Sequence, residues 1–153
     1  VKGPVAIRYP KDIAREIDGY HPLDYTLNGE PVLFEEEGDI LLVGVGTLFA
    51  TAVDVAHILK KRKKRVATLN LRFVKPIHTI VYEILRRYKR VYVLEEGIRR
   101  GGVGEILRAE GGEHVVPLAI DDFYPQVGTR EELLEEVGLT AERIAFIIEK
   151  GEM

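Results

Sequence analysis

The stretch ILLVGVGT, residues 40–47, is the clearest indication of the fold in this 153-residue chain. Its first six residues are almost continuously apolar, which predicts a strand covered on both faces, as in a parallel sheet. The turn that follows leads into apolar residues at helical spacing, with Thr47 in the position of an N-cap. A strand, a glycine turn and a helix form the opening of a strand–helix–strand unit.

The same alternation continues to the end of the chain. Further strands are predicted at residues 31–35, 66–71, 90–94 and 115–120. Helices are predicted at residues 48–59, 76–85, 104–109, 131–137 and 141–149. Pro76 is expected in a first helical turn, and Gly138 is expected to end a helix. The pattern predicts a three-layer α/β fold, in which helices cover both faces of a mostly parallel sheet.

The first thirty residues differ from the rest of the chain. Residues 5–8 predict a short strand, whereas residues 10–30 have little periodicity and several Pro, Gly and Asp residues. An irregular stretch of about twenty residues is long for a loop within one domain. We therefore expect a boundary near residue 30, with a linker or extended arm before it and a globular domain over residues 31–153.

Composition excludes several kinds of chemistry. The chain has no cysteine and no serine, so disulfides, thiolate metal sites and Ser or Cys nucleophiles are excluded. Its net charge of −3 and the lack of apolar runs of ~18 residues argue against nucleic-acid and membrane partners. The sequence shows no export signal, which favours a cytoplasmic location. Few amide residues and many charged ones resemble the composition of a thermophile's protein.

Two glycine-containing segments are candidate binding elements. The turn at residues 44–47 could hold a phosphate at a helix N-terminus, but Phe49 stands where a dinucleotide fingerprint needs glycine. A tight turn that brings the helix close to the sheet is therefore favoured. Glu95 and Glu96 precede a glycine-rich segment, residues 101–104, at the end of a strand, where α/β sheets bind ligands. Here a carboxylate that acts on a ligand or partner domain and a polar strand end remain equally open.

The remaining charged and histidine residues suggest no site. Residues 60–65 are six consecutive basic residues, but they end a helix, where cations interact favourably with the helix dipole. The four histidines have no metal-ligand spacing, so no metal site is expected. No catalytic set emerges from the residues present.

Several motifs in fixed order resemble 1-deoxy-D-xylulose-5-phosphate synthases, which are transketolase-type thiamine diphosphate enzymes. GPVAIRYP, residues 3–10, resembles the segment that closes their pyrimidine-binding domain. Gly46-Thr47 matches their FGT turn, and RFVKP, residues 72–76, matches DxRFVKPLD. Residues 95–104 match VEEN…GGxG, and residues 122–134 match the PDxF…GTREELL ending. RFVKP and GTREELL are typical of this family, whereas the other motifs also occur in transketolases and 2-oxo acid dehydrogenase β subunits.

The resemblance implies a transferase that condenses pyruvate with glyceraldehyde 3-phosphate and releases carbon dioxide, in isoprenoid and thiamine biosynthesis. Thiamine diphosphate and Mg²⁺ would be bound by upstream domains, and the enzyme would be a homodimer. Residues 1–30 would be the last strand of the pyrimidine-binding domain plus linker, and residues 31–153 a transketolase C-terminal-like domain. This part would supply packing and dimer contacts, have no catalytic residue and be inactive alone.

The resemblance also implies roles for individual residues. Arg8 would contact the substrate phosphate, and Tyr9 would help to shape that pocket. Structural or interdomain roles are implied for Glu95, Glu96, Gly101, Gly102 and Gly104. Six positions depart from the family's pattern: Lys11, Asp12, Asn70, His78, Asp121 and Val127. A transketolase, a 2-oxo acid dehydrogenase β subunit and a stand-alone α/β binding module therefore remain alternatives.

Overall fold

Strands and helices alternate along the chain in a computed structural model that describes residues 3–7, 9, 13, 15–20, 28–35 and 37–151. The strands of this part are β1 (Val32–Glu35), β2 (Ile40–Gly44), β3 (Val66–Asn70), β4 (Arg90–Ile98) and β5 (Val115–Ile120). The helices are α1 (Leu48–Lys61), α2 (Thr79–Leu85), α3 (Val103–Gly111), α4 (Arg130–Glu136) and α5 (Ala141–Lys150). Each strand and helix predicted after residue 30 is present, with its ends shifted by a few residues.

The strands form one sheet in the order β1–β3–β2–β4–β5. β2 pairs in parallel with both β3 and β4, and β4 pairs in parallel with β5. β1 is an outer strand of the sheet and pairs antiparallel with β3. Pro31, which precedes it, has no amide hydrogen to donate. The mostly parallel sheet is thus confirmed. We call the ends of β2–β5 with their following loops the carboxyl edge, and the loops before these strands the amino edge.

Helices cover both faces of this sheet, which confirms the three-layer fold. α1 and α5 cover one face, where Leu48, Leu59 and Ile144 are fully buried. α2 and α3 cover the other face, where Leu85 and Leu107 are fully buried. Each such leucine contributes roughly 2 kcal/mol of burial free energy, so the two apolar layers hold the carboxyl edge in place.

Helix α2 begins later than the sequence predicts. Pro76 precedes the helix, and the Lys75–Pro76 peptide bond is cis. His78 is the N-cap, and its Nδ1 accepts a hydrogen bond from the amide of Ile80 at 3.2 Å. The prediction that Pro76 lies in the first turn is therefore wrong, because the imidazole satisfies an amide that has no partner within the helix. Gly138 follows α4 with a φ of +73°, as expected of a helix end.

The first thirty residues contain no helix or strand where the structure describes them. The strand predicted at residues 5–8 is not formed at residues 5–7, because no described strand pairs with them; Arg8 lies outside the described residues. The boundary near residue 30 stays a prediction. No described helix combines the length and apolar character that a membrane-spanning segment requires.

The described part of the stretch 10–30 packs against the domain. The Tyr20 ring lies 4.9 Å from that of Phe49, and its hydroxyl accepts a hydrogen bond from Asn70 Nδ2 at 2.9 Å. Arg15 donates two hydrogen bonds to Asp54 on α1, at 2.7 and 3.1 Å, and these bonds raise the pKa of Arg15. Arg15 and Tyr20 thus hold the described part of this stretch against α1 and β3.

Candidate functional site

Glu95 holds the beginning of α3. Its side chain is buried, with 5% of its surface exposed. Oε2 accepts a hydrogen bond from the amide of Val103 at 2.9 Å, and Oε1 accepts one from Gly104 at 2.8 Å. Amides in the first turn of a helix have no partner within it, and a carboxylate there also interacts favourably with the helix dipole. Both oxygens of Glu95 are thus engaged within the chain.

The glycines after this carboxylate allow the close approach. A Cβ on Gly102 would lie 2.6 Å from Glu95 Oε1, and one on Gly104 would lie 2.7 Å from Pro117 Cβ. Gly101 has a φ of +72°, and its amide donates to Glu105 at 2.8 Å. A side chain does not fit at Gly102 or Gly104, whereas at Gly101 the positive φ alone favours glycine. The segment therefore packs around Glu95 and the neighbouring strand.

Glu96 joins three separate segments at the carboxyl edge. Its Oε1 accepts a hydrogen bond from the Thr47 hydroxyl at 3.0 Å and also from Arg130 at the start of α4. Thr47 occupies the N-cap position of α1 but makes no side-chain cap hydrogen bond. The prediction that Thr47 is the N-cap of α1 is thus confirmed in position, but its hydroxyl donates to Glu96 instead of capping the helix.

The glycine turn at residues 44–47 brings α1 against the sheet. A Cβ on Gly44 would lie 2.3 Å from the Cα of Phe49, and Gly46 has a φ of +58°. This geometry is the tight turn that the sequence favours. A diphosphate does not fit at this turn, because the carboxylate of Glu96 lies at the N-terminus of α1 and holds the nearest hydroxyl. The described residues therefore supply no cofactor phosphate site here.

The roles of the two predicted substrate-binding residues both stay predictions, and the structure describes only one of them. Arg8 lies outside the described residues, so its role stays a prediction. Tyr9 is exposed and lines an open cavity of about 510 Å³ at the carboxyl edge, together with Gly46, Thr47 and Glu96. This position places the tyrosine beside the Glu96 junction.

Three of the six basic residues at 60–65 pair with carboxylates. Lys60 contacts Glu35, and Arg62 contacts Glu149. Arg65 donates to Glu37 at 2.9 Å. These pairs support the interpretation of a solvated helix end. Within the described part of the chain, no three His, Asp or Glu side chains are grouped closely enough to hold a metal ion.

Two arginines were missed by the sequence reasoning. Arg130 binds Glu96, and Arg99 donates through Nε to Asp121 at 2.8 Å and through Nη1 to the carbonyl of Pro117 at 2.6 Å. Both lie within or beside motifs of the resemblance. Their partners come from other segments, however, and no local spacing indicates such contacts.

The start of α4 is a capping box, which gives a pH-dependent prediction. The amide and hydroxyl of Thr129 donate to Glu132 at 2.8 and 2.9 Å, and the backbone hydrogen bond is the larger cause that lowers the pKa of Glu132. A carboxyl whose pKa is lowered by folding stabilises the fold above its unfolded pKa, and this contribution is lost as the pH falls through the folded value. Glu132→Gln should therefore lower the free energy of unfolding at pH 7. The difference in this free energy between variant and wild type should become smaller as the pH falls toward 3.

Urea unfolding of both forms at several pH values measures this difference. Glu131→Gln is the matched control, because it changes a glutamate of the same turn and keeps the Thr129 hydrogen bonds. A Glu132→Gln difference that is constant between pH 7 and pH 3 would contradict the prediction.

Comparison with known proteins places this geometry in a family. A family model described as "Transketolase, C-terminal domain" matches residues 29–144. The 1-deoxy-D-xylulose-5-phosphate synthase of Treponema pallidum (strain Nichols) is 36% identical over 93% of this chain and 24% of that protein. The synthase of Thermosynechococcus vestitus is 33% identical over 95% of this chain and 24% of that protein. The chain thus spans about a quarter of the length of the curated relatives it matches.

Two solved structures have a similar fold. One is described as a split gene transketolase in an inactive β4 tetramer, with a TM-score of 0.71 and 25% identity; the match covers 86% of this chain and 45% of that chain. The other is the transketolase of Campylobacter jejuni subsp. jejuni NCTC 11168, with a TM-score of 0.64 and 14% identity, over 86% of this chain and 20% of that one.

Proposed function

Since this chain belongs to the family of transketolase C-terminal domains, we propose that it is the C-terminal domain of a 1-deoxy-D-xylulose-5-phosphate synthase. The observation that carries the proposal is identity of 36% and 33% to two such synthases over more than nine-tenths of the chain. The longer protein would condense pyruvate with glyceraldehyde 3-phosphate and release carbon dioxide. A cytoplasmic location and a homodimer belong to the same proposal.

The domain's role in this enzyme is architectural. The oxygens of Glu95 bind amides of α3, and Glu96 binds Thr47 and Arg130. The two carboxylates at the end of β4 therefore join segments of the carboxyl edge. By the resemblance, thiamine diphosphate and Mg²⁺ would be held by upstream parts of the longer protein.

A product assay tests the proposed substrates. The intact enzyme that carries this chain is incubated with pyruvate labelled with ¹³C at carbon 1, with and without glyceraldehyde 3-phosphate. We expect ¹³C-labelled carbon dioxide, and unlabelled 1-deoxy-D-xylulose 5-phosphate detected by proton NMR, only when both substrates are present. Ketol transfer between sugar phosphates without pyruvate would overturn the proposal in favour of a transketolase. Acetyl transfer to a lipoyl domain would favour a 2-oxo acid dehydrogenase.

Arg8 gives a kinetic prediction in the same enzyme. A guanidinium binds phosphate through two parallel hydrogen bonds, and a hydrogen bond to a charged group contributes about 1.5–3 kcal/mol. Arg8→Ala should therefore raise the KM for glyceraldehyde 3-phosphate at least about tenfold and leave the KM for pyruvate nearly unchanged. Arg15→Ala is the control, because this nearby arginine binds Asp54. Equal effects of Arg8→Ala on both KM values would remove its assigned role.

A further inference from the structure

The two edges of the sheet differ in the side chains that they expose. The amino edge is charged: Arg65 pairs with Glu37 at 2.9 Å, and Lys89 pairs with Asp39 at 2.9 Å. Glu113 is also exposed in the loop before β5. No large apolar side chain is exposed in the described loops of this edge. Such a surface is typical of one that faces water.

The carboxyl edge instead exposes several large apolar side chains. They follow three of the four parallel strands: Val74 after β3, Ile98 at the end of β4, and Phe123, Tyr124 and Val127 after β5. The Tyr124 side chain is 99% exposed. Outside residues 3–20 and this edge, the large apolar residues exposed in the described chain are Ile106 and Phe146. Single exposed apolar residues are ordinary, whereas a group at one edge indicates a contact surface.

The loop that carries three of these side chains is held at both ends. Arg99 binds Asp121 at 2.8 Å, and the amide of Gln126 donates to Glu136 on α4 at 3.2 Å. Arg99 also donates to the carbonyl of Pro117 in β5. The side chains between these anchors, Phe123 and Tyr124, are therefore presented outward by a fixed loop.

The incoming segment of the chain reaches the same edge. Tyr9 lines the cavity beside Gly46 and Glu96. Val5, Ile7 and Tyr9 expose apolar side chains at alternate positions, which is the pattern of a strand that lacks its partner. Any part of a longer polypeptide that precedes this segment is therefore tethered at the carboxyl edge, which also carries the exposed apolar side chains.

We propose that the carboxyl edge is the docking surface for the upstream part of the same polypeptide, which covers Phe123, Tyr124 and Val127. The inference rests on the proposed function, which supplies the upstream part. The tether at Tyr9 favours this occupant over a second copy of the chain, because a linked partner docks at high effective concentration. The charged amino edge then stays in water.

Thiol protection in the intact polypeptide tests the docking. The 153 residues contain no cysteine, so Tyr124→Cys and Val127→Cys each introduce one thiol in this domain, at an exposed position where the fold is not disturbed. Glu113→Cys at the amino edge is the matched control. Peptide mass spectrometry identifies the labelled thiol. Its rate of reaction with maleimide in the folded protein is compared with its rate in urea. We expect both carboxyl-edge thiols to react at least about tenfold more slowly than the control thiol.

The outcomes separate the possible occupants. Protection that persists at a dilution where size-exclusion chromatography shows a monomer supports docking of the upstream part. Protection that disappears on dilution overturns the proposal in favour of a second copy, and labelling as fast as that of the control overturns it outright. The product assay is run on the same variants. Normal synthase activity with unprotected thiols would therefore reject the docking surface and leave the proposed function in place.

Discussion

Gly44→Ala is expected to destabilise the chain by at least about 3 kcal/mol, at the upper end of the cost of overpacking. The added Cβ would lie 2.3 Å from Phe49 Cα and 2.7 Å from Phe49 N. Because these are backbone atoms of α1, no side-chain rotation relieves the contact, and the helix must move away from the sheet. Urea unfolding followed by circular dichroism measures the change.

Gly46→Ala is the matched control for this variant. A Cβ on Gly46 meets nothing within 4 Å, so only its φ of +58° opposes the substitution. A non-glycine residue in this conformation costs roughly 1–2 kcal/mol. If Gly44→Ala lowers the free energy of unfolding no more than Gly46→Ala does, the account is contradicted: Gly44 is then not needed for close packing of α1 against β2.

Glu95→Ala has the second largest expected effect. The substitution removes the acceptor of two amides in the first turn of α3 and leaves a buried space in their place. Hydrogen bonds to a charged group contribute about 1.5–3 kcal/mol each, and part of this gain is offset by the desolvation of the carboxylate, so a loss of about 3 kcal/mol is expected. Glu95→Gln should destabilise the chain almost as much, because the side-chain NH₂ of glutamine would face a backbone N–H and two donors cannot form a hydrogen bond.

The control for this position is Glu105→Gln. Glu105 also accepts a hydrogen bond from a backbone amide of this segment, that of Gly101 at 2.8 Å, but it is exposed. Its substitution should cost less than about 1 kcal/mol. Hydrogen exchange at the amides of Val103 and Gly104 should become faster in Glu95→Ala alone. Equal losses of stability in the two variants would show that burial of the carboxylate has no special role.

The sheet and its helices could be predicted because their signals are local. The apolar run at residues 40–45 and the helical spacing after Leu48 depend on neighbours within a few residues. The prediction that Pro76 lies in the first turn of α2 also depended on a local signal, since proline suits that position. It is wrong because the His78 side chain accepts a hydrogen bond from the amide of Ile80 and sets the start of α2. The hydrogen bond of His78, and not the position of the proline, therefore determines where the helix begins.

The contacts of the candidate site could not be predicted in the same way. Glu96 meets Arg130 across 34 residues and Thr47 across 49, so sequence spacing carries no information about either pair. The Thr-x-x-Glu pattern at residues 129–132 is local, and it could have identified the capping box. Tyr20 packs on Phe49 and Arg15 binds Asp54 although their segment has no periodicity, because a few individual side chains hold it and leave no repeating pattern.

The mass of the native polypeptide that carries this segment is the most direct test of its role as one domain of a longer enzyme. The polypeptide would be isolated from its source cells with an antibody against residues 31–153 and measured by intact mass spectrometry. We expect a mass several times 17.3 kDa, since the synthases that it resembles are about four times as long as this chain. A native mass near 17.3 kDa would contradict that role and favour a stand-alone α/β binding module.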